Sequence, residues 1–197
     1  MNCAASVDGP RAVGRPRSVA ADEAIRRAAI EVFAESGFEG LRVETVAERA
    51  GVAKSTLYRR FPCKIDLVRH ALDSSTDELP CPHTDSLVDD LVVLLQRLRN
   101  KFAADPMGRA VPALIEAAAR HPELREVQRQ AVAERRRAGL ARLAAAVAEG
   151  DLPDPTDIEL LMDQLSGAVF YRSFVTGADL SDAVLRSLVV SVVGAGD

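Results

Sequence analysis

Two short amphipathic segments and the glycine between them make up residues 43–64, VETVAERAGVAKSTLYRRFPCK. The first segment carries apolar residues at helical spacing, and Gly51 follows it at once. A sharp turn between two helices favours a residue that tolerates positive φ, as glycine does. In the second segment Leu57 and Phe61 are four residues apart and indicate one buried helix face. The pattern predicts a helix-turn-helix.

The outward face of the second predicted helix is polar and rich in cations. Side chains of this kind contact phosphates and base edges in the major groove of DNA. A helical hairpin without a DNA partner also needs a turn glycine and a polar face, but spacing, turn and basic face together favour DNA binding. The side chains concerned are Lys54, Ser55, Thr56, Tyr58, Arg59 and Arg60.

The whole chain has the composition of a globular protein, with 197 residues of which 48% are hydrophobic and 27% charged. Its apolar periodicity is helical almost everywhere, so we expect an all-α fold. No apolar run approaches the roughly 20 residues of a membrane helix, and the first residues contain no apolar signal region. These patterns predict a cytoplasmic protein that makes no membrane contact.

Periodicity, turn residues and stop signals predict about nine helices. Gly37 is expected to end the first helix, and Pro62 to occupy the first turn of the fourth. The predicted helices span residues 21–36, 43–50, 54–61, 62–72, 85–102, 108–119, 122–149, 156–176 and 181–193.

Charge is divided unequally along the chain. Residues 1–72 hold 12 Lys and Arg against 9 Asp and Glu, whereas residues 73–197 hold 13 against 20. A basic head on an acidic body fits a nucleic-acid-binding domain followed by a second domain. We therefore predict three parts: a basic N-terminal arm at 1–19, a DNA-binding domain at 20–72, and a ligand-binding and dimerisation domain at 73–197.

The N-terminal arm contains Arg15 and Arg17. It has two interpretations that the sequence leaves open. One is a solvated tail, and the other is an arginine arm that enters the minor groove beside the helix-turn-helix.

The three cysteines are widely spaced and odd in number, which argues against a disulfide framework. Cys81 and His83 flank a proline, but zinc needs about four ligands and no second pair lies at usable spacing. We expect no metal and no cofactor. A redox switch at Cys63 or Cys81 is a minor alternative.

The last predicted helix is apolar over most of its circumference, which favours cover on two sides. Two explanations fit this pattern. One is a subunit interface in which the last two helices of each copy form a four-helix bundle, and the other is a deeply buried core helix. The residues chosen for the seam of the bundle are Leu161, Leu165, Leu185, Leu188 and Val192.

Residues 20–70 resemble the tetracycline-repressor (TetR) family of transcriptional regulators, through Gly37-Phe38 and VAERAGVAKSTLYRRFPCK. The remainder resembles the family only in its plan, an all-helical body that ends in two dimerising helices. The resemblance implies a homodimeric, ligand-responsive regulator, most often a repressor, that binds a palindromic operator in double-stranded DNA.

Carried over residue by residue, the resemblance puts Lys54, Ser55, Thr56 and Arg59 at base-facing positions. Tyr58 and Arg60 fall on the phosphate side, and Lys64 is a phosphate anchor. One position departs from the family pattern, because Arg42 stands where a Ser or Thr usually caps the second helix. Arg42 cannot cap, but its charge could still reach a phosphate.

An effector cavity is expected among the helices of residues 85–176. With no Trp and only two Tyr in the chain, its walls should be mostly aliphatic, and the effector apolar or amphipathic. The candidate wall residues are Leu91, Leu95, Leu114, Met162, Leu165, Phe170, Tyr171 and Phe174.

Two other classes of protein compete with this interpretation. An all-helical enzyme would need a catalytic motif, and the sequence has no nucleophile elbow, phosphate-binding glycine loop or paired histidines at helical spacing. A partner-binding helical scaffold without DNA binding does not explain why basic residues crowd the outer face of residues 54–60.

Overall fold

The computed structural model describes residues 19–72 and 79–194, apart from the side chain of Met107. Within these ranges the chain forms helices and connecting segments and no strand, which confirms the all-α prediction. The chain divides into two compact units, residues 1–72 and 73–197. No helix in the described ranges combines the length and hydropathy that a membrane span requires.

The first unit is built around one long helix. It contains α1 (Val19–Gly40), α2 (Val43–Ala50), α3 (Lys54–Arg60) and α4 (Lys64–Leu72), with α2 and α4 packed on α1. Gly37 has φ 66° and interrupts α1 near the predicted end. The apolar core of this unit includes Ile25, Phe33, Leu41, Val46, Leu57 and Leu67.

The turn between α2 and α3 has the conformation that its glycine predicts. Gly51 lies in the left-handed region at φ 66° and ψ 31°, and its amide donates to the carbonyls of Ala47 and Glu48. The Val52 amide donates to the Ala47 carbonyl at 3.0 Å, which completes a Schellman motif. Ala47 is buried, so its small side chain allows the two helices to approach closely.

The start of α4 differs from the prediction. The helix begins at Lys64, and Pro62 lies before it. Phe61 is extended, with φ −124° and ψ 91°, as the residue before a proline prefers. Cys63 also lies before the helix. Its thiol donates to the carboxylate of Asp66, in the first turn of α4, at 3.1 Å.

The second unit contains five α-helices: α5 (Leu87–Ala104), α6 (Pro106–Arg120), α7 (Pro122–Glu149), α8 (Ile158–Tyr171) and α9 (Asp182–Val193). A short π-helix, Arg172–Thr176, continues α8. Two of these helices begin two residues later than predicted because side chains cap them. Ser86 Oγ accepts from the Asp89 amide at 3.2 Å, and the Asp157 carboxylate accepts from the Leu160 amide at 3.0 Å.

The core of the second unit is aliphatic. Helices α5, α7, α8 and α9 contribute to it, and α6 packs against α7 and α5. Among its fully buried side chains are Leu91, Leu95, Leu143, Met162, Leu165 and Leu185.

Candidate nucleic-acid interface and ligand cavity

Helix α3 is anchored by one side chain and exposes most of the others. Leu57 is completely buried, whereas Lys54, Ser55 and Arg59 are exposed and Thr56 is half-buried. The helix has no side-chain cap at its first turn, and the Thr56 amide donates to the Ala53 carbonyl at 2.9 Å. A helix held in this way by its inner face can present its outer face to a groove of DNA.

Tyr58 and Glu44 join the outer surfaces of α3 and α2. The Tyr58 hydroxyl donates to the Glu44 carboxylate, and 51% of Tyr58 remains exposed. This hydrogen bond lowers the pKa of Glu44 and raises the pKa of Tyr58. Glu44 thus positions the Tyr58 hydroxyl against the outer surface of α2.

Arg60 is engaged inside the first unit. Its guanidinium forms an ion pair with Asp22 of α1 and lies 5.0 Å from the centre of the Phe61 ring. The sequence does not indicate this pairing, since the two residues are 38 positions apart. A phosphate contact by Arg60 would compete with Asp22 for the guanidinium.

Lys64 and Arg42 lie at the starts of two helices. Lys64 Nζ donates to the Glu39 carbonyl at 3.0 Å and lies 5.8 Å from the centre of the Phe38 ring. Arg42 is exposed, is extended at φ −116°, and makes no capping hydrogen bond, as expected of an arginine at this position. Arg15 and Arg17 lie outside the described residues.

The second unit contains a cavity of about 450 Å³. Half of the residues predicted to line it do so: Leu95, Leu114, Met162 and Phe170. The other half do not, for reasons of packing that helical periodicity alone does not reveal.

The predictions for Leu91, Leu165, Tyr171 and Phe174 as wall residues are wrong. Leu91 and Leu165 are completely buried in the core, and Tyr171 is 57% exposed. Phe174 belongs to the π-helix and packs its ring against Phe102 and Phe170, with centroids 5.0 and 5.1 Å away. The aromatic cluster thus backs the wall of the cavity without Phe174 forming part of its lining.

Polar side chains also line the cavity, which the sequence analysis did not anticipate. They come from α7 and α8 only, while α5 and α6 contribute apolar residues. One sequence signal could have predicted them. The middle of α7 is strongly polar, although the helix has buried residues before and after it. The polar lining residues are Gln128, Arg135, Arg136, Asp163 and Ser166.

Arg136 links α7 to α8 at the cavity wall. Its Nη2 lies 2.9 Å from a carboxylate oxygen of Glu159 and 2.9 Å from one of Asp163, and it donates to the Glu159 carbonyl at 3.1 Å. Its Nε is buried and has no hydrogen-bond partner among the described residues. The guanidinium therefore keeps one buried donor, Nε–H, without an acceptor among the described residues.

Gly139 sets the separation of α7 from the cavity wall. A Cβ atom at this position would lie 2.5 Å from Met162 Cε and 2.7 Å from Leu94 Cδ2. Both of those side chains line the cavity, and Gly139 itself does not. The absence of a side chain at Gly139 thus allows Met162 and Leu94 to take the positions that form the wall.

A buried ion pair fixes the segment that precedes α5. Arg142 Nε donates to Asp90 Oδ2 at 2.7 Å, and Asp90 also accepts from the Thr84 amide at 3.0 Å and hydroxyl at 2.8 Å. Burial acts to raise the pKa of Asp90, but the hydrogen bonds from Arg142 and Thr84 outweigh it and leave that pKa below its ordinary value. Both charged side chains are almost fully buried.

Neither of the described cysteines, Cys63 and Cys81, forms a disulfide. Burial raises the pKa of Cys81 to about 11, so this thiol is protonated and a poor nucleophile at neutral pH. That state disfavours the redox switch considered for Cys81. No cluster of potential metal ligands occurs within the described part of the chain.

The predicted dimer seam requires a correction. Leu165 and Leu185 are completely buried within the single chain, so neither can face a second copy. Leu161, Leu188 and Val192 are partly buried and pack against the same core. The exposed large apolar residues of α8 and α9 are instead Leu160, Tyr171 and Val190.

Two family models match most of the chain. Bacterial regulatory proteins of the tetR family match residues 25–71, and the tetracyclin repressor-like C-terminal domain matches residues 81–192. Between them they cover the helix-turn-helix and the helical unit with the cavity.

Relatives of known description cover nearly the whole chain. The HTH-type transcriptional regulator YdeS of Bacillus subtilis is 33% identical over 180 residues, which is 90% of each chain. The DNA-binding transcriptional repressor TetR of Mycobacteroides abscessus is 30% identical, and the match covers 86% of this chain and 90% of that protein. Both descriptions are of transcriptional regulators rather than enzymes.

Solved structures share the fold. The TetR family transcription regulator SCO0332 is 30% identical, with a TM-score of 0.68 over 88% of this chain and 97% of that one. FadR from Bacillus subtilis, solved in complex with stearoyl-CoA, is 19% identical, with a TM-score of 0.67 over 89% of this chain and 98% of that one. At 19% identity, the similarity to FadR shows a shared fold and nothing more.

Proposed function

Because this chain belongs to the TetR family of transcriptional regulators, we propose that it is a homodimeric repressor that a small, mostly apolar effector releases from a palindromic operator. Membership in this family means that the chain has an N-terminal DNA-binding domain and a C-terminal ligand-binding domain. Because its target is chromosomal DNA, the protein is expected to act in the cytoplasm.

The observation that carries the proposal is the exposure of α3. Leu57 fastens the helix to the core while Lys54 and Arg59 remain exposed on its outer face. Arginine and lysine side chains in the major groove bind the O6 and N7 acceptors of guanine. We assign base contacts to Lys54, Ser55, Thr56 and Arg59, and phosphate contacts to Arg42, Tyr58, Arg60 and Lys64.

Selection of bound sites from a random duplex pool tests the DNA-binding part. Two-fold symmetry should yield an inverted repeat whose half-sites are separated by about 34 Å, or by a longer spacing if the bound dimers overlap. Affinity for the selected site should fall steeply with salt, since phosphate contacts release counterions. A selected motif without inverted symmetry would contradict the dimeric mode of binding.

Lys64→Ala separates phosphate anchoring from base recognition. Loss of one phosphate contact should weaken binding to all sequences alike and make the salt dependence shallower by about one counterion. A changed base preference would contradict the assignment of Lys64. A reporter gene placed behind the selected operator distinguishes repression from activation, and higher expression with the protein present would exclude a repressor.

We assign the dimer contact to the exposed stripes of α8 and α9. On α8 the stripe consists of Leu160, Gln164, Gly167 and Tyr171, and on α9 it consists of Ala183, Ser187 and Val190. Each stripe follows the spacing of three and four residues that one helix face requires. Its small residues allow the close approach of two helices.

Leu160→Glu combined with Val190→Glu tests that contact. A carboxylate buried against apolar surface without a partner costs several kcal/mol, so sedimentation should show a monomer and operator affinity should collapse. Gln130→Glu is the matched control, because this residue is exposed on α7 outside both stripes. A double variant that stays a dimer would place the interface elsewhere.

The effector is proposed to bind in the cavity of the second unit and to lower operator affinity. The coupling expected of allosteric proteins is about 1–3 kcal/mol, which gives roughly 5- to 150-fold release. Linkage requires operator DNA to weaken effector binding by the same factor. Ligand affinity measured with and without saturating operator tests this, and equal values would mean that the cavity does not regulate DNA binding.

A further inference from the structure

The cavity in the second unit has two chemically different sides. Helices α5 and α6 contribute only apolar side chains to its lining, whereas every polar lining residue belongs to α7 or α8. The charged members of the lining are Arg135, Arg136 and Asp163, so cations outnumber the single anion. A ligand that fills this space meets hydrocarbon on one side. On the other side it meets a polar wall with two arginines and Asp163, and Glu159 pairs with Arg136 from outside the lining.

Arg136 is the residue on the polar side that has a donor without an acceptor in the described part of the chain. One terminal nitrogen holds both Glu159 and Asp163, but the Nε–H is buried and has no hydrogen-bond partner among the described residues. A buried N–H group without an acceptor is unfavourable and is normally satisfied by protein, water or ligand. The guanidinium edge that carries Nε also carries Nη2, so a ligand carboxylate that binds both donors accepts from Nε and shares Nη2 with Glu159 and Asp163.

We infer that the effector is a lipophilic carboxylate whose anionic end binds Arg136 and whose hydrocarbon lies against α5 and α6. This inference rests on the proposed ligand-binding role of the cavity and names the chemical class of the ligand. The ligand carboxylate competes with Asp163 for the same guanidinium. An alkylamine would instead bring its cation against two arginines, and an alcohol would accept from Nε without bringing a negative charge to the guanidinium.

Calorimetric titration of the full-length chain with three ligands of one hydrocarbon length tests the inference. The probes are decanoic acid at neutral pH, 1-decanol and decylamine. Decanoate should bind more tightly than decanol by on the order of tenfold, as expected for a hydrogen bond to a charged group. Decylamine should bind most weakly.

Arg136→Gln should remove the preference for the acid. Decanoate affinity should fall on the order of tenfold towards that of decanol, while decanol, which loses a hydrogen bond but no opposite charge, should lose less affinity. The matched control is Arg137→Gln, because Arg137 neighbours Arg136 on α7, pairs with Glu134 on the surface and is not part of the lining. This control should retain the full preference.

Asp163→Asn gives a prediction of the opposite sign. It removes the only anion of the lining and one of the two carboxylates on Arg136, so decanoate affinity should rise while decanol affinity stays constant. This variant keeps the test decisive if Arg136→Gln fails to fold. Because it retains the guanidinium, a fall in decanoate affinity would contradict the assignment.

The outcomes separate this inference from the proposed function. If decanol binds as tightly as decanoate, or if Asp163→Asn leaves their ratio unchanged, the carboxylate assignment is overturned and the ligand-binding cavity stands. If none of the three probes binds, the cavity is not a site for lipophilic ligands, and the proposed effector class fails together with the inference.

Discussion

The two units of the molecule place their charged side chains differently. In residues 19–72 the buried side chains are apolar, and the cations of α3 lie at the surface. In residues 79–194 the ion pair of Asp90 and Arg142 is buried, and further polar groups line the cavity. Lys54 and Arg59, which are assigned to base contacts, therefore take no part in the core of the first unit, whereas the second unit places charge inside its own structure.

This difference affects what a substitution can do in each unit. Exposed side chains away from special features contribute little to the free energy of unfolding, so residues on α3 can change the DNA contact while the fold stays intact. Inside the second unit the same residue can contribute to both packing and ligand contact. Arg136 illustrates this, because it joins α7 to α8 and also lines the cavity. Stability and ligand binding are then expected to change together.

The largest effect is expected for Arg142→Ala. Removal of one partner from a buried ion pair leaves the other charge uncompensated and costs about 3–5 kcal/mol. Urea unfolding measures this loss, and Arg137→Ala, on the surface of the same helix, should stay within about 0.5 kcal/mol of the wild type. Similar losses for the two variants would mean that the buried pair is no more important than a surface charge.

The next effect concerns DNA affinity with no change in stability. Lys54→Ala and Arg59→Ala should each weaken operator binding by about 1–3 kcal/mol and relax base preference at one symmetric pair of positions. Their unfolding midpoints should match that of the wild type, since both side chains are exposed. Arg69→Ala on α4 serves as the control, because it removes an exposed cation outside α3. An unchanged selected motif for both α3 variants would contradict their assignment to base contacts.

A smaller, stabilising effect is expected for Arg42→Ser. A serine at this extended position can accept a hydrogen bond from the first turn of α2, which is worth about 0.5–2 kcal/mol of stability. Arg42→Ala removes the same charge without supplying a cap, so the difference in unfolding free energy between the two variants isolates capping. Equal stability of both variants would show that the first turn of α2 is already satisfied by solvent.

The smallest expected effect is on the dependence of stability on pH. The folded pKa of Asp90 lies below the unfolded value of about 3.9, so ionised Asp90 stabilises the protein above that value. This contribution is lost as the pH falls through the lower, folded pKa. Unfolding free energy measured from neutral to acid pH should therefore fall more in the wild type than in Asp90→Asn. Parallel curves would mean that Asp90 has the same pKa in both states.

Local signals allowed the helix-turn-helix to be predicted in detail. The glycine turn, the small Ala47 and the spacing of Leu57 from Phe61 all lie within one short segment, so no distant contact is needed to place α3. The pairing of Arg60 with Asp22 was not predictable in this way. It depends on how the fold brings the first turn of α1 near the end of α3, and no local pattern encodes that.

The cavity was predicted in place but only partly in its residues. Leu91 and Leu95 lie one turn apart on the same apolar face of α5, yet Leu95 lines the cavity and Leu91 does not. Periodicity identifies the face that is buried, but tertiary packing decides whether a residue on that face meets another helix or an open space. For the same reason, the apolar residues around most of α9 did not show which of them would be buried within the single chain, as Leu185 is.

A substitution at Gly139 would change the size of the cavity without replacing any residue that lines it. A single added methyl group at this position would push against the flexible ends of Met162 and Leu94, and these ends can yield towards the open space. A larger residue at this position would therefore shrink the cavity from behind its wall while the guanidinium of Arg136 stays in place. The length of the molecule that fits the cavity would then depend on a residue that is not part of its lining.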